Sequence, residues 1–170
     1  MRVSIESNLP QLTQLWEREP QITERHLVRR MTEAVMLLER ETIERAPEGR
    51  GGSAGLRGGI AAVPPTVSGT SSEVVGLVIG SAAHTAPIEM GTKPHFVPIQ
   101  PLQDWVEYKL GLEGEEARSV AFAISRTIAR RGTEGKFMFR DAFAANESQV
   151  EEMLKAAIPQ IIQEMTADGQ

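Results

Sequence analysis

Residues 74–105 read VVGLVIGSAAHTAPIEMGTKPHFVPIQPLQDW, and the fold turns on how that stretch divides. Val74, Val75, Leu77, Val78 and Ile79 form a nearly continuous apolar run. It predicts a strand over Glu73–Ser81 with both faces covered. After Ala82-Ala83-His84, a further extended piece is predicted over Thr85–Met90. Gly91 then supplies a permissive backbone, and Pro94 fixes the direction of the next segment. Beyond Pro98, the residues Leu102, Trp105, Val106 and Lys109 recur at helical spacing as far as Leu110, with Gly111 as the stop.

Upstream, Leu56–Val67 reads as a second strand, broken at Pro64-Pro65 as suits a sheet edge. The turn Gly69-Thr70-Ser71-Ser72 joins it to the first, giving an antiparallel hairpin over about 56–81. Before it lies EGRGGSAGLRGG, Glu48–Gly59, where no apolar period survives and a mobile loop is predicted. This is no phosphate loop, since GxxxxGK[ST] is absent and a helix rather than a strand precedes it. That helix is predicted over Thr23–Arg45. Leu27, Met31, Ala34, Val35, Leu38 and Thr42 lie on its inner face, and Ala46-Pro47 stops it. Met1–Ser7 alternates like a short strand, and Asn8 caps a short helix (Leu9, Leu12, Leu15, Trp16) that Pro20 ends.

Downstream, Glu113–Arg131 is a predicted helix. Ala117, Val120, Ala121, Ile124 and Ile128 line one face, and Arg118, Phe122, Arg126 and Arg130 another. Gly132–Gly135 ends it, and Phe137, Phe139 and Phe143 lead into a last helix reaching about Met165. Val150, Leu154, Ala157, Ile158, Ile161 and Met165 face inward there, and Pro159 kinks it by removing a backbone donor.

Composition narrows the function. The chain has 170 residues, 41% of them hydrophobic, which fits a single domain, 1–170, with one core. With no cysteine, disulfide frameworks, thiolate metal sites and cysteine nucleophiles are excluded. The formal charge of -5 opposes nucleic-acid binding through net charge. No apolar run approaches the roughly 18 residues of a membrane span, and the N-terminus lacks a signal-peptide pattern, so a soluble protein made in the cytoplasm is expected.

Few residues carry catalytic signals. His84, Glu89 and His95 come nearest to a metal set, but their spacing is not HExxH, and a structural histidine near a turn is the better reading. Ser81 and Ser125 lack nucleophile motifs. Glu113, Glu115 and Glu116 suit the start of a helix, where negative charge complements the helix dipole. Nothing argues for an enzyme or a cofactor. A basic face of Arg118, Arg126, Arg130 and Arg131 reads as solvated, or as a surface for DNA phosphates or an acidic partner.

Several pieces follow one pattern in order. They are Ala46-Pro47, the loop ending Gly55-Leu56-Arg57-Gly58-Gly59-Ile60, Val78-Ile79-Gly80-Ser81, and Ala86-Pro87-Ile88-Glu89-Met90-Gly91-Thr92-Lys93-Pro94-His95. A Trp105 helix and Arg131-Gly132-Thr133 complete the set. Together they resemble the tailed-phage head–tail joining family, also called tail-completion or neck proteins, over almost the whole chain. The sequence departs from the family pattern at Ser53-Ala54-Gly55-Leu56-Arg57, where a threonine is missing. It departs again at Thr85 and Pro87, which stand where the family carries tyrosines.

The resemblance implies an α+β fold. A small, mainly antiparallel sheet (the hairpin about 56–81, a strand about 85–90 and the N-terminal strand) is packed by a long N-terminal helix and two or three C-terminal helices. It implies a structural virion protein at the neck, assembled in the host cytoplasm as a homo-oligomeric ring, six-fold to match the tail tube. The neighbours would be a head-completion, adaptor or stopper protein and a tail terminator or tail tube protein, with DNA passing through the ring without sequence-specific binding and no membrane. The candidate contact residues are Arg50, Ser53, Leu56, Arg57, Glu89, Gly91, Thr92 and His95, and the arginine face would line the lumen or meet a partner. The glycine loop is a candidate arm that orders on assembly. Competing readings are a tail terminator or other minor tail or capsid protein, a small metal-dependent hydrolase, and a DNA-binding regulator, which the pI near 5.3 opposes.

Overall fold

The structure is a computed structural model that describes residues 2–5, 14, 17, 20–49, 55–68 and 73–167. In chain order its elements are β1 (Arg2–Ile5), α1 (Pro20–Arg45), β2 (Ile60–Ser68), β3 (Glu73–Gly80), α2 (Thr85–Met90), β4 (Gly91–Thr92), α3 (Ile99–Leu110), α4 (Gly114–Arg131), β5 (Thr133–Glu134), α5 (Met138–Lys155) and α6 (Ala157–Ala167). The backbone gathers into two compact units. The first comprises Met1–Ala46, Gly59–Ser81 and Met138–Gln170; the second comprises Pro47–Gly58 and Ala82–Phe137.

In the first unit, α1 buries the stripe its sequence period demands: Leu27, Met31, Ala34, Val35, Leu38 and Thr42. Pro20 stands at the start of α1, where its missing N–H would have had no intrahelical partner. Most of the short helix expected before it lies outside the described residues. Thr42 donates through Oγ1 to the Leu38 carbonyl at 2.6 Å, so its buried hydroxyl is satisfied within the helix. On the outer side Arg30 and Arg45 pair with Glu33 and Glu41, each at 2.7 Å.

The sheet is three-stranded and antiparallel in the order β1-β3-β2, so the α+β class and the N-terminal strand stand as expected. Burial along β3 alternates, with Val74, Gly76 and Val78 buried and the residues between them half-buried. Full coverage of both faces, expected from the apolar run, is therefore not what forms: one face is covered and the other only partly. Gly76 lies against α1 so closely that an added Cβ would sit 2.5 Å from Val35 Cγ1 and 2.8 Å from Met31 Cγ. The register slips between Val63 and Thr66, where Pro64-Pro65 cannot donate to the ladder; β2 is an edge strand, which tolerates this.

The expected last helix is two. Pro159 cannot donate to the carbonyl of residue 155, and α5 ends at that residue. Ala156 closes the turn through its N–H to the Glu152 carbonyl at 3.0 Å, and α6 starts at Ala157. Phe139, Ala142, Val150, Leu154, Ala157 and Ile161 are buried, while Ile158 and Met165, expected inward, are half-buried. Helices α5 and α6 pack on α1.

In the second unit, α3 and α4 form a helical hairpin across residues 111–113. Gly111 adopts the left-handed conformation (φ 66°, ψ 20°) and donates to the Glu107 carbonyl, ending α3 as expected. The core is Val106, Ala117 and Ala121, with Ile99, Leu102, Leu112, Val120 and Ile124 packed around them. Two alanines on α4 let α3 approach closely. Val106 therefore takes the inward position of α3, and Trp105, one residue and about 100° away around the helix, remains 45% exposed.

Two further expectations are corrected. Thr85–Met90 is a short helix, not a strand: Thr85 and Glu89 are both buried four residues apart on one helical face, and Pro87 falls in the first turn, where proline is tolerated. Leu56 does not open a strand. It is buried ahead of a single 3-10 turn, Arg57–Gly59, and β2 begins at Ile60.

Candidate assembly surface

Two short stretches some forty residues apart carry the same dipeptide, Gly91-Thr92 and Gly132-Thr133. They meet as β4 and β5, antiparallel, with Gly91 opposite Glu134 and Thr92 opposite Thr133. The two threonine hydroxyls lie 2.9 Å apart, and the Thr133 N–H donates to Thr92 Oγ1 at 3.2 Å. Gly91 (φ 76°, ψ -178°) and Gly132 (φ 74°, ψ -158°) both occupy a backbone region open essentially to glycine alone. An added Cβ on Gly91 would stand 2.3 Å from the Thr133 carbonyl oxygen, and one on Gly132 1.9 Å from that of Thr92. Each glycine thus admits the backbone of the other stretch, and the pair forms a clasp.

Bonds on either side extend the clasp. The Lys136 and Phe137 N–H groups donate to the Ile88 and Glu89 carbonyls at 2.8 and 3.0 Å, satisfying acceptors that the end of α2 leaves open. On the exit side, His95 N–H donates to the Ile128 carbonyl at 3.4 Å, and Ser125 Oγ donates to the Val97 carbonyl at 2.8 Å. The segment from Gly91 to Val97 is therefore fastened along the C-terminal half of α4. His95 also places Nδ1 2.9 Å from the Lys93 carbonyl, a local turn contact with the ring exposed.

The expected contact residues divide accordingly. Gly91, Thr92 and His95 are brought together in the clasp and its exit. Glu89 is only 1% exposed and Leu56 5% exposed, so neither offers a surface to a partner: both are packing residues. Arg57 is half-buried and pairs with Glu48 at 3.0 Å. Arg50, Ser53 and the centre of the glycine loop lie outside the described residues. Glu89 is buried while His84 and His95 are exposed, and among the described residues no group of three or more His, Cys, Asp or Glu could hold a metal.

The second unit holds most of the chain's exposed large apolar side chains among the described residues. Of the eight large apolar side chains left exposed among the described residues, six belong to it: Met90, Phe96, Trp105, Tyr108, Leu110 and Phe122. Phe96, at 75%, is the most open. Single exposed apolar residues are ordinary, whereas six of eight fall in this one small unit. The sequence put Trp105 on the helical period with Leu102, Val106 and Lys109 without deciding which of them is buried, and it gave no signal for Phe96.

Along α4, Arg118, Phe122, Arg126 and Arg130 follow one another at i, i+4 and are all exposed, as their spacing predicted. Arg118 reaches Glu115 only at 3.8 Å. Among the described residues Arg126, Arg130 and Arg131 have no carboxylate within ion-pair distance.

Two carboxylates of the first unit are well paired. In the first unit, Glu164 accepts from His26 Nε2 at 2.6 Å and also pairs with Arg25. The His26 hydrogen bond, helped by Arg25 and opposed by partial burial, holds the Glu164 carboxyl below its ordinary value. Glu41 is lowered chiefly by its hydrogen bond from Arg45, with Asn146 adding to it against partial burial. None of the described helices is long and apolar enough to cross a membrane.

No family model, curated protein or solved structure matches the chain.

Proposed function

We propose that this chain is a structural virion protein of a tailed bacteriophage. It completes the tail and joins it to the head at the neck, as a subunit of a ring. One observation carries the reading: the second unit keeps six large apolar side chains exposed. A cyclic ring needs a heterologous interface, one patch of a subunit against a different patch of the next. A unit with a rigid clasp and an apolar exterior suits such a contact. The order of motifs from Ala46-Pro47 to Arg131-Gly132-Thr133 supports the placement at the neck, and the clasp joins two members of that series, Gly91-Thr92 and Gly132-Thr133.

The partners on this reading are further copies of the chain, a head-completion or stopper protein above, and a tail terminator or tail tube protein below. The protein performs no reaction; its work is shape and adhesion.

The test is to purify the protein, determine its mass in solution and image it, alone and after mixing with tails that lack it. A closed ring that seats on the tail end and restores joining to filled heads is the expected result. A protein that stays monomeric at all concentrations, and neither binds tails nor restores joining, would refute the proposal.

A further inference from the structure

From Ala117 to Arg131 the chain carries four arginines and no acid; from Asp141 to Leu154 it carries four acids and no base. The first run lies on α4 and the second on α5, and all eight charged side chains, Arg118, Arg126, Arg130 and Arg131 against Asp141, Glu147, Glu151 and Glu152, are exposed. On α4, three of the four arginines have no carboxylate partner among the described residues. On α5, Asp141 and Glu151 have only the partners beside them on the same helix, Arg140 at 2.9 Å and Lys155 at 2.6 Å. Apart from these neighbours, and Glu115 at 3.8 Å from Arg118, the ion pairs among the described residues leave Arg126, Arg130, Arg131, Glu147 and Glu152 uncompensated, in a chain of net charge -5.

We infer that the α4 arginine face of one copy docks on the α5 acidic face of the next, and that this pairing is the heterologous contact that propagates the ring. The inference rests on the ring reading above and gives it an interface. Spacing supports it. At about 1.5 Å per residue, Arg118 to Arg130 spans about 18 Å and Asp141 to Glu152 about 16 Å along their helices.

The charge distribution also selects a direction. Each run has one charged residue early and three late. A parallel alignment with Arg118 beside Asp141 brings Arg126 and Arg130 within two residues of Glu147, Glu151 and Glu152; an antiparallel one sets the late arginines against the sparse end. In the parallel register Phe122 falls opposite Ala145. On α5, Asp141, Ala145, Ser148 and Glu152 share one exposed row, so the exposed aromatic ring meets small side chains between two carboxylates. Complementary charge of this kind fixes register and rejects wrong partners.

Charge exchange tests the contact. Arg126→Glu/Arg130→Glu and Glu151→Arg/Glu152→Arg change only exposed positions, and circular dichroism and urea unfolding check that both variants fold. Each alone should lose self-association by on the order of a hundredfold, because like charges then face each other. An equimolar mixture should regain the particle, since each variant then offers the other an opposite face. As a second reading, the chain lacks cysteine, so copies carrying Phe122→Cys and Ala145→Cys should form a disulfide only when mixed.

If the wild-type protein forms a ring and either charge variant assembles as well as it does, this interface is wrong and the ring reading survives. Failure of the mixture to reassemble also refutes the interface. If the wild type forms no ring at all, both readings fall. If wild-type protein binds duplex DNA and the arginine variant loses that binding while assembling normally, the face belongs to nucleic acid and the inference is overturned.

Discussion

Gly132→Ala should be among the most damaging small substitutions in this chain, by an amount the clasp sets. Alanine at φ 74°, ψ -158° costs about 1–3 kcal/mol in backbone strain alone. Its Cβ would also stand 1.9 Å from the Thr92 carbonyl oxygen, which is backbone and cannot rotate away. The two stretches must therefore part by about an ångström. That weakens the ladder and the Thr92–Thr133 contact, each hydrogen bond contributing about 0.5–1.5 kcal/mol. The sum is about 3–5 kcal/mol, a large share of the roughly 5–15 kcal/mol that holds a domain folded.

Gly111→Ala is the control. Its φ is also positive, at 66°, but nothing lies within 4 Å of an added Cβ, so only the left-handed penalty of about 1–2 kcal/mol applies. Urea unfolding of both variants measures the difference. Amide exchange at Thr133, Lys136 and Phe137, whose N–H groups bond to Thr92, Ile88 and Glu89, locates it. If Gly132→Ala is no more destabilising than Gly111→Ala, or if those amides exchange as before, the clasp does not hold the unit together as argued.

Two other perturbations act on the first unit. Gly76→Val drives a branched side chain into Val35 and Met31 and should destabilise by about 1–3 kcal/mol, the usual cost of overpacking; a thermal midpoint equal to wild type would show that β3 is not pressed on α1. Because the carboxyls of Glu41 and Glu164 are held below the ordinary 4.5, their pairing contributes fully above that pH and is lost as pH falls through their lowered values. Glu164→Gln should therefore flatten part of the acid limb of stability against pH, and an unchanged acid limb in unfolding curves at pH 3–6 (about the titration range of carboxylates) would contradict the assignment.

The first unit was the more legible of the two. Leu27 to Thr42 repeats at helical period for several turns and meets a buried stripe; Pro64-Pro65 marks the register slip, and Pro159 the break between α5 and α6. These are rules of local geometry that tertiary context seldom overrides. Thr85–Met90 was harder, because six residues hold barely more than one helical period and Pro87 reads equally well in an extended chain. Only the burial of Thr85 and Glu89 on one side decides between them.

The exposure of Trp105 was hard to read for a different reason. Leu102, Trp105 and Val106 all fit the helical period, and only the small Ala117 and Ala121 across from α3 decide that Val106 is admitted and the indole left outside. The clasp was the least legible feature as a contact. Its two Gly-Thr pairs were each visible in the sequence, but nothing local says that one pair faces the other across the length of α3 and α4.

The chain path also sets an order of events during synthesis. The buried stripe of α1 is covered partly by α5 and α6, and roughly ninety residues separate Arg45 from Met138. At about 5–20 residues per second, a ribosome takes about 5–18 s to make them. All of 82–137 has left the peptidyl-transferase centre before α5 begins, so the second unit can close its clasp while Leu27, Met31 and Leu38 still await part of their cover. A protein made this way exposes its longest apolar stripe when it is newest, and how many copies reach the assembled state depends on how well that stripe is shielded in those seconds.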